Sequence, residues 1–141
     1  MKHTSFAVAF AVAGLLSGAA FAETMSFHAN LDTASQVPPG MGGGKGTFDG
    51  KLDTSTKMLS YTVTVSGLSG PATAAHFHGP AAPGTNAGVL VPIAGMTSPM
   101  KGSAKMTDAQ ISDLEAGKVY VNIHTKAHPD GEVRGNVMKG M

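Results

Sequence analysis

The fold of this chain is decided by residues 46–66, which read GTFDGKLDTSTKMLSYTVTVS. Tyr61, Val63 and Val65 alternate with polar residues, so these three side chains share one face of an extended strand. Residues 54–57 are short and polar, as in a turn, and they separate this strand from a second one before them. The stretch therefore predicts an antiparallel hairpin with one buried face.

Further strands are predicted on both sides of this hairpin, wherever residues alternate with a period of two or form a short apolar run. They cover residues 25–31, 74–78, 88–93, 100–106, 118–124 and 131–138. Residues 33–46 lose all periodicity and contain two prolines and a glycine cluster, which is typical of a mobile loop. Residues 79–86 are predicted to form a second loop.

One short helix is predicted near residues 107–116. Thr107 and Gln110 have the spacing of a capping box, Leu114 lies three residues after Ile111 on the same face, and Gly117 is placed to end the helix. About eight short strands and this single helix predict an all-β fold, an antiparallel Greek-key β-sandwich or barrel.

Residues 1–22 are predicted to be a cleavable secretory signal peptide. Lys2 gives a cationic start, residues 6–16 form an apolar run, and Ala20-Phe21-Ala22 has the small-x-small form of a cleavage site. The run is shorter than the roughly 20 apolar residues that span a bilayer. We expect a mature chain that begins at Glu23, is periplasmic or secreted, and is not inserted in the membrane after cleavage.

Residues 23–141 are predicted to be one domain, because their number is enough for one modest core and too small for two. Of the ten Lys and Arg residues, all but Lys2 remain after cleavage, so nine basic residues balance nine acidic ones. Nucleic acid is therefore not an expected partner, since such binding relies on clustered positive charge. The chain contains no cysteine, which excludes disulfides and thiolate ligands.

Histidines are the candidate functional residues. Four of the five outside the predicted signal form two tight pairs, His76 with His78 and His124 with His128. Residues i and i+2 of a strand project from one face about 6.5–7 Å apart, so both imidazoles of the first pair can reach one ion. If Ala75 and Phe77 face the core, His76 and His78 point outward. By the same alternation, inward positions for Val119, Val121 and Ile123 leave Tyr120, Asn122 and His124 pointing outward, so both pairs lie on the exterior. The pattern predicts a transition-metal site formed by His76, His78, His124 and His128.

Copper is the favoured ion for such a site, with zinc as the alternative. Four neutral imidazoles without a thiolate suit both, and divalent copper binds nitrogen ligands more tightly than zinc at equal supply. Two metal-free alternatives stay open: the histidines hydrogen-bond the loop backbone near Pro80 and Pro129, or one of them acts as a catalyst. No phosphate-binding loop, serine nucleophile elbow or cysteine nucleophile is present, so we favour binding over enzyme activity and leave the latter open.

Other polar and sulfur-containing residues are assigned structural roles. His28 faces outward without a partner in sequence and is interpreted as a surface histidine. Met41, Met96, Met100 and Met106 could offer thioether sulfur to copper, but filling of the core and loops is favoured. Arg134, the only arginine, is predicted to lie on an outward face. It could attract an anion towards a bound metal or pair with Asp130 or Glu132, and the structural pairing is favoured.

Four segments resemble the CHRD domain, which is named after chordin. They are QVPP (36–39), AAHFHGPA (74–81), YVNIHT (120–125) and HPDGEVRG (128–135). The resemblance covers nearly all of residues 23–141 and implies an extracytoplasmic β domain. It implies little about function. The chordin domains belong to an extracellular protein that binds growth factors, but no residue here supports that partner, so any protein partner is unknown.

A weaker resemblance is to copper/zinc superoxide dismutase, whose copper lies outside a Greek-key barrel between histidines. By this analogy His76, His78, His124 and His128 would hold copper. The chain departs from that family because it lacks the disulfide cysteines, and because residues 79–87 offer no ligand for a zinc site. Two rivals to a metal-binding CHRD protein follow: a metal-free structural or protein-interaction module of the cell envelope, and a superoxide dismutase-like copper enzyme.

Overall fold

The structure, a computed structural model, describes Gly14 and residues 23–140. Apart from Gly14, the predicted signal peptide lies outside the described residues. The elements in chain order are β1 (Thr24–Asp32), β2 (Lys45–Asp53), β3 (Met58–Ser66), β4 (Ala72–His78), β5 (Val89–Pro92), β6 (Met100–Lys105), α1 (Asp108–Glu115), β7 (Tyr120–Thr125), β8 (Val133–Asn136) and β9 (Met138–Lys139).

All strands belong to one antiparallel sheet that curls into a nearly closed barrel. The order of its strands is β5-β4-β7-β8-β1-β2-β3-β6, and β9 pairs with β1. The all-β prediction is confirmed. Within residues 23–140, β5 and β6 are the two edge strands of the sheet, and they do not pair with each other. The Greek-key part of the prediction stays a prediction.

The hairpin of β2 and β3 forms as the sequence predicts. Its register pairs Lys45 with Ser66 and Asp53 with Met58, which leaves residues 54–57 as the turn. Phe48 and Val63 are paired and fully buried. Their burial follows from the alternation, because every second side chain of both strands points to the interior of the barrel.

The core contains an aromatic cluster formed by Phe48, Tyr61 and Phe77. The ring of Phe77 is close to perpendicular to the other two, with centroid separations of 5.5 Å to Phe48 and 5.3 Å to Tyr61. Such edge-to-face pairs add about 0.5–1.5 kcal/mol each to the burial of the rings. Phe77 lies on β4 between His76 and His78, so its burial fixes the face from which both histidines project.

The helix is confirmed at the predicted position and with the predicted ends. Gln110 N–H donates to the Thr107 hydroxyl, and the Gln110 side chain accepts from Thr107 N–H, so the capping box is complete. Leu114 is fully buried. Gly117 follows with a φ of +71°, a conformation that favours glycine over residues with a Cβ atom.

The last predicted strand, 131–138, is wrong in one respect, because the chain divides it into β8 and β9. Val137 between them is fully buried, and its N–H donates to the Val119 carbonyl. Before this residue β8 pairs with β7 and, at Arg134, with β1; after it β9 pairs with β1. The sequence alternates through this point, so period alone could not locate the break between the two strands.

Candidate metal centre

The candidate site lies on the outer face of β4 and β7. Phe77 of β4 and Val121 and Ile123 of β7 are fully buried in the core. Their neighbours in sequence therefore project from the opposite face, as predicted. The register places Ala74 opposite His124 and His76 opposite Asn122, so the histidines of the two strands are diagonal neighbours.

Three of the four predicted ligands come together. Nitrogen atoms of His76, His78 and His124 all lie within 4.8 Å of one another. The closest pair is His76 Nδ1 and His124 Nε2, which are 3.2 Å apart. His76 and His124 are half-buried, and His78 is 9% exposed. The cluster thus lies at the surface with one deeper member.

Two of these imidazoles are held by backbone carbonyls. His124 Nδ1 lies 2.8 Å from the Pro129 carbonyl, and His78 Nδ1 lies 3.0 Å from the Ala87 carbonyl. A carbonyl oxygen only accepts, so both Nδ1 atoms carry the hydrogen and both Nε2 atoms keep a lone pair. Among the described residues, the buried Nε2 of His78 has no hydrogen-bond partner. Histidines that bind metals usually donate their second ring nitrogen in this way.

The surroundings of the cluster favour neutral imidazoles. Burial lowers the pKa of His76 below its usual 6.5, and the nearby His124 lowers it further. Burial also lowers the pKa of His78; the bond to Ala87 opposes this shift, while the charges of His76, His124 and Arg134 add to it. A neutral imidazole is the form that binds a metal, so these shifts leave the nitrogen lone pairs available near neutral pH.

The fourth predicted ligand, His128, is not part of this cluster. It lies in the turn after β7, where its N–H and carbonyl exchange hydrogen bonds with Thr125. His128 and the exposed Met41 line one surface groove. Its role as a ligand stays a prediction.

The pairing predicted for Arg134 is wrong. Arg134 is 1% exposed and donates to the Thr85 carbonyl at 2.7 Å and to the Asn86 side-chain oxygen at 3.0 Å, rather than to Asp130 or Glu132. Alternation does place it on the outer face of the sheet. That face is buried at this point because the loop at residues 79–88 covers it.

The sequence alone missed the role of Tyr120. Its ring is parallel to that of His78, with centroids 4.8 Å apart, and the Arg134 guanidinium lies 3.6 Å from the centre of the tyrosine ring. The Tyr120 hydroxyl is 3.0 Å from both the N–H and the carbonyl of Ala87. Its predicted outward position was the only signal that could have identified it.

The loop at residues 33–44 also contributes to the outer layer. Asn122 donates to the Gln36 side chain at 3.2 Å, and Asn86 donates to the Val37 carbonyl at 3.0 Å. Gln36 is 7% exposed. The sequence predicts a mobile loop over residues 33–46, whereas residues 45 and 46 belong to β2. The lack of a period in the sequence could not show that this loop folds back over β7.

The remaining predicted residues take structural positions. His28 lies at the surface, as predicted, and its Nδ1 is 2.9 Å from Asp49 Oδ1. This hydrogen bond raises the pKa of His28. Met100 and Met106 are buried in the core, whereas Met41 and Met96 are exposed. No helix among the described residues has the length and apolar character needed to cross a membrane.

Comparison with known proteins identifies one family. The family model of the CHRD domain matches residues 27–137, a range that contains most of β1, all of β2 to β8 and the three clustered histidines. No curated protein and no solved structure matches the chain.

Glu132 provides a test of how the segment after His128 is held. Burial would raise the pKa of this carboxyl, but hydrogen bonds from Thr125 and Ser69 and the charge of His128 outweigh burial and lower it below 4.5. The ionised form therefore stabilises the fold above pH 4.5, and this contribution is lost as the pH falls through the lower folded-state pKa. We expect Glu132→Gln to lower the free energy of unfolding by about 1–3 kcal/mol at pH 7.

Urea denaturation at pH 7 and at several values below 4.5 measures this effect. The difference between wild type and Glu132→Gln should shrink as the pH falls. Glu115→Gln is the matched control, because Glu115 is exposed at the end of α1. A constant difference across the pH range would contradict the assignment.

Proposed function

This chain belongs to the CHRD domain family, and from that premise we propose that it is an exported protein that binds one transition-metal ion. The ligands are His76, His78 and His124, and copper is the favoured ion. Family membership alone does not specify this function, because one fold can carry many sites. The proposal depends on the geometry of the three histidines.

The observation that carries the proposal is the convergence of three imidazoles. Two nitrogens that each lie about 2.0–2.1 Å from one ion are about 2.8–3.4 Å apart when the angle at the ion is about 90–110°. His76 Nδ1 and His124 Nε2 are 3.2 Å apart. A hydrogen bond would also explain this one distance, but it gives no reason for the lone pair of His78 Nε2 to stay unpaired beside the other two rings.

The choice of copper follows from the ligands. The chain has no cysteine, the three ligands are imidazoles, and burial lowers the pKa of His76 and of His78, which favours their neutral, metal-binding form. Imidazole suits both copper and zinc, and divalent copper forms the more stable complexes with nitrogen ligands. Zinc is therefore the competitor that a binding experiment must include.

Export is supported by the sequence. Residues 1–22 have the three parts of a cleavable signal in the required order, and the absence of cysteine leaves the domain independent of disulfide formation. The metal site of an exported protein would be exposed to the metal-ion concentrations outside the cytoplasm.

Amino-terminal sequencing of the protein recovered from the periplasm or the medium should give a sequence that begins at Glu23. A sequence that begins before Glu23 would contradict cleavage at this position.

Titration of the purified metal-free protein with Cu(II), and separately with Zn(II), tests the site. We expect one tightly bound equivalent of copper and weaker binding of zinc, measured by calorimetry in the presence of a competing chelator. The variant His76→Ala, His78→Ala, His124→Ala should lose this binding because all three ligands are gone. An unchanged affinity would remove these residues from the site.

Two single variants complete the titration. His28→Ala is the matched control, since His28 is a surface histidine paired with Asp49, and it should bind copper as wild type does. His128→Ala tests the fourth predicted ligand. A loss of affinity in this variant would add His128 to the site, and wild-type affinity would leave three protein ligands.

Thermal unfolding separates this proposal from a metal-free structural or interaction module. A ligand that binds only the native state stabilises it by about 2.7 kcal/mol when its free concentration is 100 times Kd. We expect the melting temperature to be higher with Cu(II) than with a chelator, and the triple histidine variant to show no such difference. Equal melting temperatures for the wild type would favour the metal-free module.

A further inference from the structure

The loop between β4 and β5 contacts the histidine cluster through one residue, Ala87. This loop leaves the sheet after His78 and returns at Val89, and Gly79 N–H donates to the Gly88 carbonyl at its neck. Ala87, near its end, carries the carbonyl that accepts from His78 Nδ1. The position of Ala87 therefore decides which nitrogen of His78 carries the hydrogen.

Tyr120 forms hydrogen bonds with both the N–H and the carbonyl of Ala87. Its hydroxyl accepts from Ala87 N–H and donates to the Ala87 carbonyl, both at 3.0 Å. A carbonyl oxygen has two lone pairs, so it can accept from His78 and from Tyr120 together. The tyrosine ring is also parallel to the His78 imidazole, at an interplanar angle of 1°. Tyr120 thus contacts His78 directly by stacking and indirectly through Ala87.

Arg134 supports Tyr120 from the opposite face of its ring. The guanidinium lies 3.6 Å from the ring centre, and its two donors bind Thr85 and Asn86, the residues just before Ala87. Asn86 continues the connection to the Val37 carbonyl of the other loop. Three successive loop residues are therefore held by two side chains of the outer face.

We propose that Tyr120 and Arg134 are positioning residues that hold Ala87, so that His78 keeps its hydrogen on Nδ1 and presents Nε2 to the metal. The metal part of this inference rests on the proposed function. Partners of this kind commonly change metal affinity by 10–100-fold when they are removed. The tautomer of His78 in the metal-free protein is the property that they control directly.

The chain offers a matched pair of substitutions for the test. Tyr120→Phe removes the hydroxyl from Ala87 and keeps the ring stacked on His78. Tyr61→Phe removes a similar bond, in which the Tyr61 hydroxyl accepts from Ala94 N–H at 2.9 Å, and it keeps the ring that packs against Phe77. Both tyrosines are nearly buried, at 2% and 5% exposed, so the two variants carry a similar structural cost.

Nitrogen-15 NMR of the histidine rings in the metal-free protein gives the first readout. We expect wild type and Tyr61→Phe to hold His78 in the form with hydrogen on Nδ1, and Tyr120→Phe to populate the other tautomer. The second readout is Cu(II) titration, in which Tyr120→Phe should lose about 10–100-fold in affinity and Tyr61→Phe should not. An unchanged His78 tautomer in Tyr120→Phe would overturn the proposal.

The two readouts also separate this inference from the metal site itself. If wild type binds no copper, the proposed function fails, while the tautomer comparison still decides whether Tyr120 positions His78. If Tyr120→Phe does not fold, Asn86→Ala replaces it, because Asn86 is exposed and links Arg134 to the loop. Asn86→Ala should shift the tautomer and the affinity in the same direction. Wild-type values of both readouts in that variant would contradict the part of the proposal in which Arg134 acts through Asn86.

Discussion

The antiparallel pairing of β4 with β7 is the interaction on which the rest of the structure depends. It places Phe77, Val121 and Ile123 on one side of the sheet, where they complete the core. The same alternation sends the histidines to the other side. A slip of β4 by one residue against β7 would turn His76 and His78 into the core and Phe77 out of it, so the burial of Phe77 also maintains the cluster.

The outer face of these strands is a second, polar layer rather than an open surface. Arg134 is buried there with carbonyl and amide oxygens as its acceptors and an aromatic ring beside it. Burial lowers the pKa of Arg134, and Tyr120 opposes this shift, yet a guanidinium remains charged at any physiological pH. Desolvation of such a charge is costly unless it is hydrogen-bonded, so the contacts of residues 85–86 are part of what keeps the loop in place.

Much of the fold could be predicted because local patterns and tertiary packing agree. The hairpin at residues 46–66 and the capped helix follow from contacts within a few residues, and both form as expected. The end of the last strand did not follow from its pattern, because Val137 is oriented by its contact with Val119, a residue far from it in the sequence. The same limit applies to Arg134, whose nearest acidic residues in sequence are not its partners.

For the site, the sequence by itself determined the chemistry and the face. It places histidines at alternate positions next to apolar residues, and in a chain without cysteine these imidazoles are the clustered nitrogen ligands for a transition metal. Only the tertiary structure decided that His124 joins His76 and His78, that Tyr120 stands beside them, and that His128 lies apart in a turn. The physical reason is that side-chain direction is a local property of a strand, whereas the distance between two strands depends on their register and on the loops that cover them.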